Sequence, residues 1–270
     1  MRGSKYLQSS VDYCYREIKK YLQQDRWVLF TGTPCQVAGL KAFIRKPYDK
    51  LLTIDIVCHG VPSNKLFLAY ITKLRKKRPG FAGISGYEFR RLDGWGKSPS
   101  IKLGDKFSPL IGTDNLYMEA FDQCAIFRKS CYQCKYARIP RQGDITIADF
   151  WGIGRHGYVF KHDTKKGVSL VMVNTIHGQV AMESLNGCVV EKRTYREAII
   201  ENPNIYNASH MNEKRDEIVS AFLDDSKSLK EIEAEFHLID KSLKGMVKRW
   251  TSRIGLFDAF KMIYDRYRSL

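Results

Sequence analysis

WVLFTGTPCQVAGLKAFI, residues 27–44, changes its period halfway along. WVLF is a compact apolar run, the pattern of a buried strand. TGTPCQ is a turn punctuated by glycine and proline. VAGLKAFI then restarts at helical spacing. The plan repeats in LLTIDIVCHGVPSNKLFLAYITKLRKK, residues 51–77: a strand to Val57, a CHG turn, a cap at Ser63 and a helix. Strand, helix, strand, helix with short loops predicts parallel strands joined by crossovers.

Outward from these two units the pattern stays mixed. Residues 11–24, VDYCYREIKKYLQQ, predict an amphipathic helix. Residues 79–113 are rich in Gly, Pro and aromatics and predict short, antiparallel strands around YEFRRL and SIKLG. Residues 114–127 read as helical, DITIA (144–148) and VSLVMVNT (168–175) as strands, and 178–186 as a helix. From about residue 194 the chain reads as mostly helical. The expected fold is α/β: a mainly parallel sheet with flanking helices, a small antiparallel insertion and a helical C-terminal region. Residues 1–193 form the α/β domain and 194–270 a helical region packed on it.

The chain has 270 residues, 44% of them hydrophobic, enough to build a core without disulfides. No stretch approaches the ~18 apolar residues of a membrane span, and MRGSKYLQSS lacks the apolar segment of a secretion signal. These features predict a cytoplasmic protein with no transmembrane segment. In a reducing compartment its seven cysteines are ligands or buried thiols rather than bridges. The formal charge is +16, from 45 Lys+Arg against 29 Asp+Glu. Such a balance attracts polyanions and acidic proteins without choosing among them.

Cys35 falls just past the carboxyl end of one predicted strand and Cys58 at the same place on the next. Ligands of open α/β sheets bind at that edge, and adjacent strands are only about 4.8 Å apart. Each cysteine also precedes a helix, whose N-terminal field favours thiolate. SCYQCKYARIPRQGDITIADFWGIG, residues 130–154, supplies a CxxC, Cys131 and Cys134, which brings the set to four sulfurs. Four cysteine sulfurs suit zinc or an iron–sulfur cluster. One CxxC with two solitary cysteines is a poor zinc ribbon and a better cluster cage; unliganded thiols are the third alternative. Core packing is the plain reading of Cys14, in a helix, and of Cys188, at a strand start. Cys124, ten residues before Cys134, can serve as a spare or substitute ligand.

GSKYLQS, LFTGTPCQVAGLKAF, LLTIDIVCHGVPS, SCYQCKYARIPRQGDITIADFWGIG and KKGVSLVMVNT, in this order, resemble the coenzyme F420 hydrogenase/dehydrogenase beta-subunit family, and most closely its bacterial branch. The resemblance covers nearly the whole chain, most firmly residues 3–176. It implies an oxidoreductase or electron-transfer subunit with FAD and a [4Fe-4S] cluster close together. Cys35, Cys58, Cys131 and Cys134 match the family's recurring cysteines, so it implies the metal-ligand role for those four; Cys124 falls outside the set. Chains of this branch usually begin with a ferredoxin-like segment bearing CxxCxxCxxxCP runs. None precedes GSKY here. The expectation is a shortened chain or a separate ferredoxin-like electron donor or acceptor, with a small-molecule redox substrate beside it.

A flavin dinucleotide brings a pyrophosphate, which favours backbone amides at glycine turns and helix N-termini. Gly32 and Thr33, in TGTPCQ, are the candidate contacts; that turn itself lacks the GxGxxG spacing. Lys5 can neutralise a phosphate or be a surface lysine. Asp149 can accept a ribose hydroxyl, hold a basic side chain or cap its turn. Gly152 and Gly154 serve the turn that follows, and His59 is either a proton donor or the orienter of its own turn. The tail from Leu238 to Leu270 is basic, with Leu243, Met246, Val247, Trp250 and Ile254 at helical spacing; it predicts a helix packed on the core, with a docking or membrane-surface contact as the alternative. A rival reading from another class is a basic nucleic-acid-binding protein with a structural zinc on four cysteines. The net charge favours it; the lack of an RNA-recognition signature, a zinc-ribbon spacing or a basic helix-turn-helix does not.

Overall fold

The computed structural model describes residues 5–90, 99–153, 160, 162 and 167–242. The architecture is α/β. Its larger sheet has four strands in the order β1 (Val28–Gly32), β2 (Leu51–Ile56), β6 (Ile145–Asp149), β7 (Ser169–Val173). The first three run parallel, and β7 is antiparallel to β6. A smaller antiparallel sheet joins β3 (Ile84–Glu88), β4 (Ser100–Leu103) and β5 (Lys106–Pro109).

The helix α2 (Pro34–Ile44) begins where β1 ends because TGTPCQ carries every start signal. Pro34 presets the first turn, and Thr33 and Gln36 form a reciprocal capping box. Its buried face, Val37, Leu40 and Ile44, packs with Ile18 and Leu22 of α1 (Cys14–Gln23) against Phe30 and Leu51 of the sheet. Val37 and Leu40 are fully buried, each contributing roughly 1.5–3 kcal/mol. The helix α3 (Asn64–Lys77) starts at Ser63, whose hydroxyl accepts the Leu66 amide.

β2 alternates with period two, and its most buried face is Leu51, Thr53 and Asp55. Two of those three are polar, so the face needs buried partners. The loop before β6 supplies them. Asp144 accepts the Thr53 amide at 2.8 Å and its hydroxyl at 2.6 Å. Asp55 accepts the amides of Gln142 and Gly143 and the Thr146 hydroxyl, and pairs with Arg141.

A second core lies around α3. It joins Leu66, Tyr70 and Leu74 to Ile84 and Ile101 of the small sheet and to Leu116, Tyr117 and Phe121 of α4 (Leu116–Asp122). Tyr70 and Tyr117 stack with centroids 5.2 Å apart. Ile218 and Phe222 of α8 (Arg215–Leu223) and Ile232 of α9 (Leu229–Phe236) close the same core. The CxxC turn lies in the short α5 (Lys129–Tyr132) and the loop after it. α6 (Ile176–Glu183) and α7 (Tyr195–Ile200) flank the larger sheet, with Ala198 and Ile205 covering Leu170 and Phe150.

Several elements differ from the sequence expectation. The strand expected around YEFRRL starts earlier, at Ile84, and KFSP adds a third strand. The helix expected over 114–127 is regular only from Leu116 to Asp122, behind a 3-10 turn. Cys188 starts no strand; it lies exposed in a loop, so core packing does not describe it. Cys14 opens α1 and packs on Ile18 and its neighbours, as expected. The tail helix from Leu243 onward and Gly154 lie outside the described residues. Among the described residues, no helix is long and apolar enough to cross a membrane.

Candidate functional site

The two strand–turn–helix units place Cys35 in the first turn of α2 and Cys58 two residues beyond β2. All seven cysteines are free thiols. Cys35 is exposed, whereas Cys58, Cys131 and Cys134 are partly buried. Burial pushes the Cys58 thiol up to about 12, the Gly60 amide opposes this, and Cys131, Cys35 and Cys134 push it further. Cys131 is also raised, first by burial; the Val61 amide lowers it, Cys134 and Cys35 raise it, and the Arg128 charge lowers it. Cys58 therefore lies within electrostatic reach of the other three thiols, and Cys131 of Cys35 and Cys134, the set being drawn from three separate turns.

The turn between Cys58 and α3 organises this meeting. Gly60 has φ +135°, and a Cβ there would stand 2.4 Å from the Phe127 ring. Only glycine takes that conformation at that packing distance. The turn then aims the Gly60 amide at Cys58 and the Val61 amide at Cys131. The Val61 carbonyl accepts the Arg128 amide at 2.9 Å, and the Arg128 carbonyl accepts the Cys131 amide at 2.9 Å. One short backbone chain thus ties the CHG turn to the CxxC loop. On the other side, the Thr33 hydroxyl lies 3.1 Å from the Cys35 sulfur.

Among the described residues, no three His, Cys, Asp or Glu side chains gather at the spacing of a single metal ion. Four sulfurs on one zinc would stand about 3.8 Å apart, given bonds of about 2.3 Å. By donor chemistry alone, four thiols from three turns suit zinc or an iron–sulfur cluster.

Cys124 faces elsewhere. Its sulfur lies 3.3 Å from Nε2 of His59, and Nδ1 of His59 lies 2.9 Å from Asn204 Oδ1. The Asn204 amide nitrogen donates to Asn207 and Ser209, which leaves its oxygen as the acceptor. His59 is held at both ring nitrogens, and its carbonyl accepts the Ser209 hydroxyl at 2.5 Å. It orients its own turn.

The expected cofactor contacts take distinct places. The Thr33 amide donates to Gln36 Oε1 at 2.9 Å, so the capping box already uses it. A Cβ on Gly32 would meet Gln36 and Phe30 at 3.1–3.2 Å, so its bareness serves packing. Lys5 is exposed. Asp149 holds a basic side chain: Arg90 donates to both its oxygens, at 2.8 and 2.5 Å, and to the Tyr6 hydroxyl at 3.1 Å. Burial opposes the Arg90 charge, but Asp149 and Tyr6 outweigh it and hold the guanidinium ionised. Gly152 turns the chain after Asp149 with φ +74°.

Sequence reasoning missed the N-terminal strap. Tyr6 packs on Phe89 and Phe121, and its carbonyl accepts the Tyr117 hydroxyl. Gln36, beside Cys35, donates to the Ser9 carbonyl at 3.1 Å. Between these anchors Gln8 Oε1 is buried with no hydrogen-bond partner among the described residues. Such an orphaned acceptor fits a donor on a bound molecule, as a flavin or its ribose would supply. Sequence reasoning did not name Arg90 or Arg141; the signals were Asp149, read as able to hold a basic side chain, and Asp55, an acid inside an apolar strand.

The family model for the C terminus of the coenzyme F420 hydrogenase/dehydrogenase beta subunit matches residues 25–196. That stretch contains the larger sheet, the smaller sheet and the four coupled cysteines. No curated protein matches the chain.

Proposed function

The chain belongs to the coenzyme F420 hydrogenase/dehydrogenase beta-subunit family, a family of redox-enzyme subunits, and we propose that it is an iron–sulfur flavoprotein oxidoreductase or electron-transfer subunit of the cytoplasm. Cys35, Cys58, Cys131 and Cys134 would hold a [4Fe-4S] cluster. The observation that carries this reading is geometric: the β1–β2 register sets the Cys35 and Cys58 turns side by side, and the Val61–Arg128–Cys131 backbone bonds tie the CxxC loop to the Cys58 turn.

The cluster would supply one-electron transfer, and FAD the exchange of electron pairs with a small-molecule redox substrate. The residues of the chain do the positioning. The Gly60 and Val61 amides point at two ligand sulfurs, and hydrogen bonds to sulfur tune the potential of such a group. FAD would lie by the strap, with Lys5 near its phosphates, the Gly32–Thr33 turn beside it and Gln8 accepting one of its donors. Asp149 contributes through Arg90, which it keeps charged and oriented. A ferredoxin-like protein would give or take the single electrons. The cofactor body would be residues 1–193 and the helical region 194–270; among the described residues, the core that α8 and α9 share with α3 supports their packing on that body.

Anaerobic purification tests the proposal. The expected protein is brown, carries about four irons per chain by the cluster's stoichiometry, and shows yellow flavin absorption. A colourless protein with stoichiometric zinc would overturn it in favour of a structural zinc site on the four cysteines.

A further inference from the structure

Three of the four coupled thiols are sheltered, and Cys35 is exposed. A redox centre exchanges electrons most readily with an outside protein where it comes closest to the surface. The loop that brings Cys131 and Cys134 to this corner is IFRKSCYQCKYARIPR, residues 126–141, with five Lys/Arg and no Asp or Glu. Two of those cations are engaged: Arg141 is buried on Asp55, and Lys129 pairs with Asp216 at 2.8 Å. Arg128, Lys135 and Arg138 remain exposed, and among the described residues they have no carboxylate partner. The Arg128 carbonyl accepts the Cys131 amide at 2.9 Å, and the Arg128 amide donates to the Val61 carbonyl in the Cys58 turn at 2.9 Å. Ile139 follows Arg138 and is 47% exposed, an apolar side chain on the same loop as the cations.

We propose that the exposed Cys35 corner, together with Arg128, Lys135, Arg138 and Ile139, is the docking surface for a small acidic electron-carrier protein. The inference rests on the cluster reading above and goes further by naming the face and the charge of the partner. Like-signed charges around one exposed corner steer an oppositely charged partner to it and orient it on arrival. An exposed apolar residue on the same loop supplies contact once water has been displaced.

The test uses the iron-loaded, full-length chain and a strongly acidic plant-type [2Fe–2S] ferredoxin as probe. Binding is measured at low salt and near physiological salt of about 0.15 M. The combined variant Arg128→Glu, Lys135→Glu, Arg138→Glu is compared with Lys20→Glu, Lys192→Glu, Lys230→Glu, an equal charge change elsewhere on the surface. The loop variant should weaken low-salt binding about tenfold or more, and the control variant less than about threefold. Equal weakening by both, no effect of either, or no low-salt binding by the parent overturns the docking surface. If the combined loop variant loses iron, Arg138→Glu alone, four residues from Cys134, carries the test, with several-fold weakening expected and none overturning it. The two readings fail differently: an iron-free parent removes the cluster, whereas an iron-loaded parent indifferent to charge reversal removes only the docking surface.

Discussion

Arg141 and Asp55 form an ion pair in the interior, 3.3 Å apart with side chains 1% and 0% exposed. Asp55 lies three residues before Cys58, and Arg141 seven residues after Cys134. The pair therefore fastens the loop that carries two of the thiols to the strand that delivers a third. Removing one partner strands the other charge in the core, which typically costs about 3–5 kcal/mol. Arg141→Met should lower stability to chemical denaturant by that order and reduce iron loading with it. A variant as stable as the parent would show that the Gln142 and Gly143 amides and the Thr146 hydroxyl suffice for Asp55.

The ligand assignment predicts a division among the cysteines. Cys131→Ser should lose most of its iron, measured per chain after anaerobic purification. Cys188→Ser and Cys124→Ser should keep theirs, because Cys188 is exposed in a loop outside the four and Cys124 faces His59. Iron retained in the Cys131 variant, or lost in the Cys188 variant, would redraw the set.

Exposure and proton affinity separate the same thiols chemically. In the metal-free chain Cys58 is pushed up to about 12, chiefly by burial. Only the thiolate alkylates, so at neutral pH its reactive fraction falls about a thousandfold or more below that of an ordinary thiol near 8.5. Mass spectrometry after a short iodoacetamide pulse should find Cys188 and Cys35 labelled and Cys58 spared. Early labelling of Cys58 would show that its turn opens readily.

Asp144 predicts an acid limb of stability. Burial alone would raise its carboxyl, but the Thr53 hydroxyl and amide, the Thr175 hydroxyl and the Lys41 charge together hold it below the usual range. The folded chain thus binds this proton less readily than the unfolded chain. Its contribution is complete well above the unfolded value of about 3.9 and is lost as pH falls through the depressed folded value. Asp144→Asn should flatten the fall in stability between about pH 5 and pH 3 in denaturant titrations. An unchanged slope would move the acid sensitivity to another carboxylate.

How much was readable beforehand follows from where each signal sits. The β1–α2 and β2–α3 units are legible because apolar runs and Thr or Ser caps are local features of the chain. The direction of β7 is not, since SLVMV reads alike both ways and only its pairing with β6 decides. KFSP is exposed at three of four positions, so β5 has no apolar half to reveal it. The cysteines can be placed at strand ends by counting. The Gly60 and Val61 amides cannot, because a backbone donor carries no letter of its own. Asp55 announces a buried partner without naming it, and that partner, Arg141, lies 86 residues further on.

The tie from Gln36 to Ser9 has a practical consequence for handling the protein. Gln36 follows Cys35 in the first turn of α2. A chain trimmed past Ser9 leaves the Gln36 amide without that acceptor, beside a thiol meant to capture iron. Metal is best counted on a chain that keeps the strap.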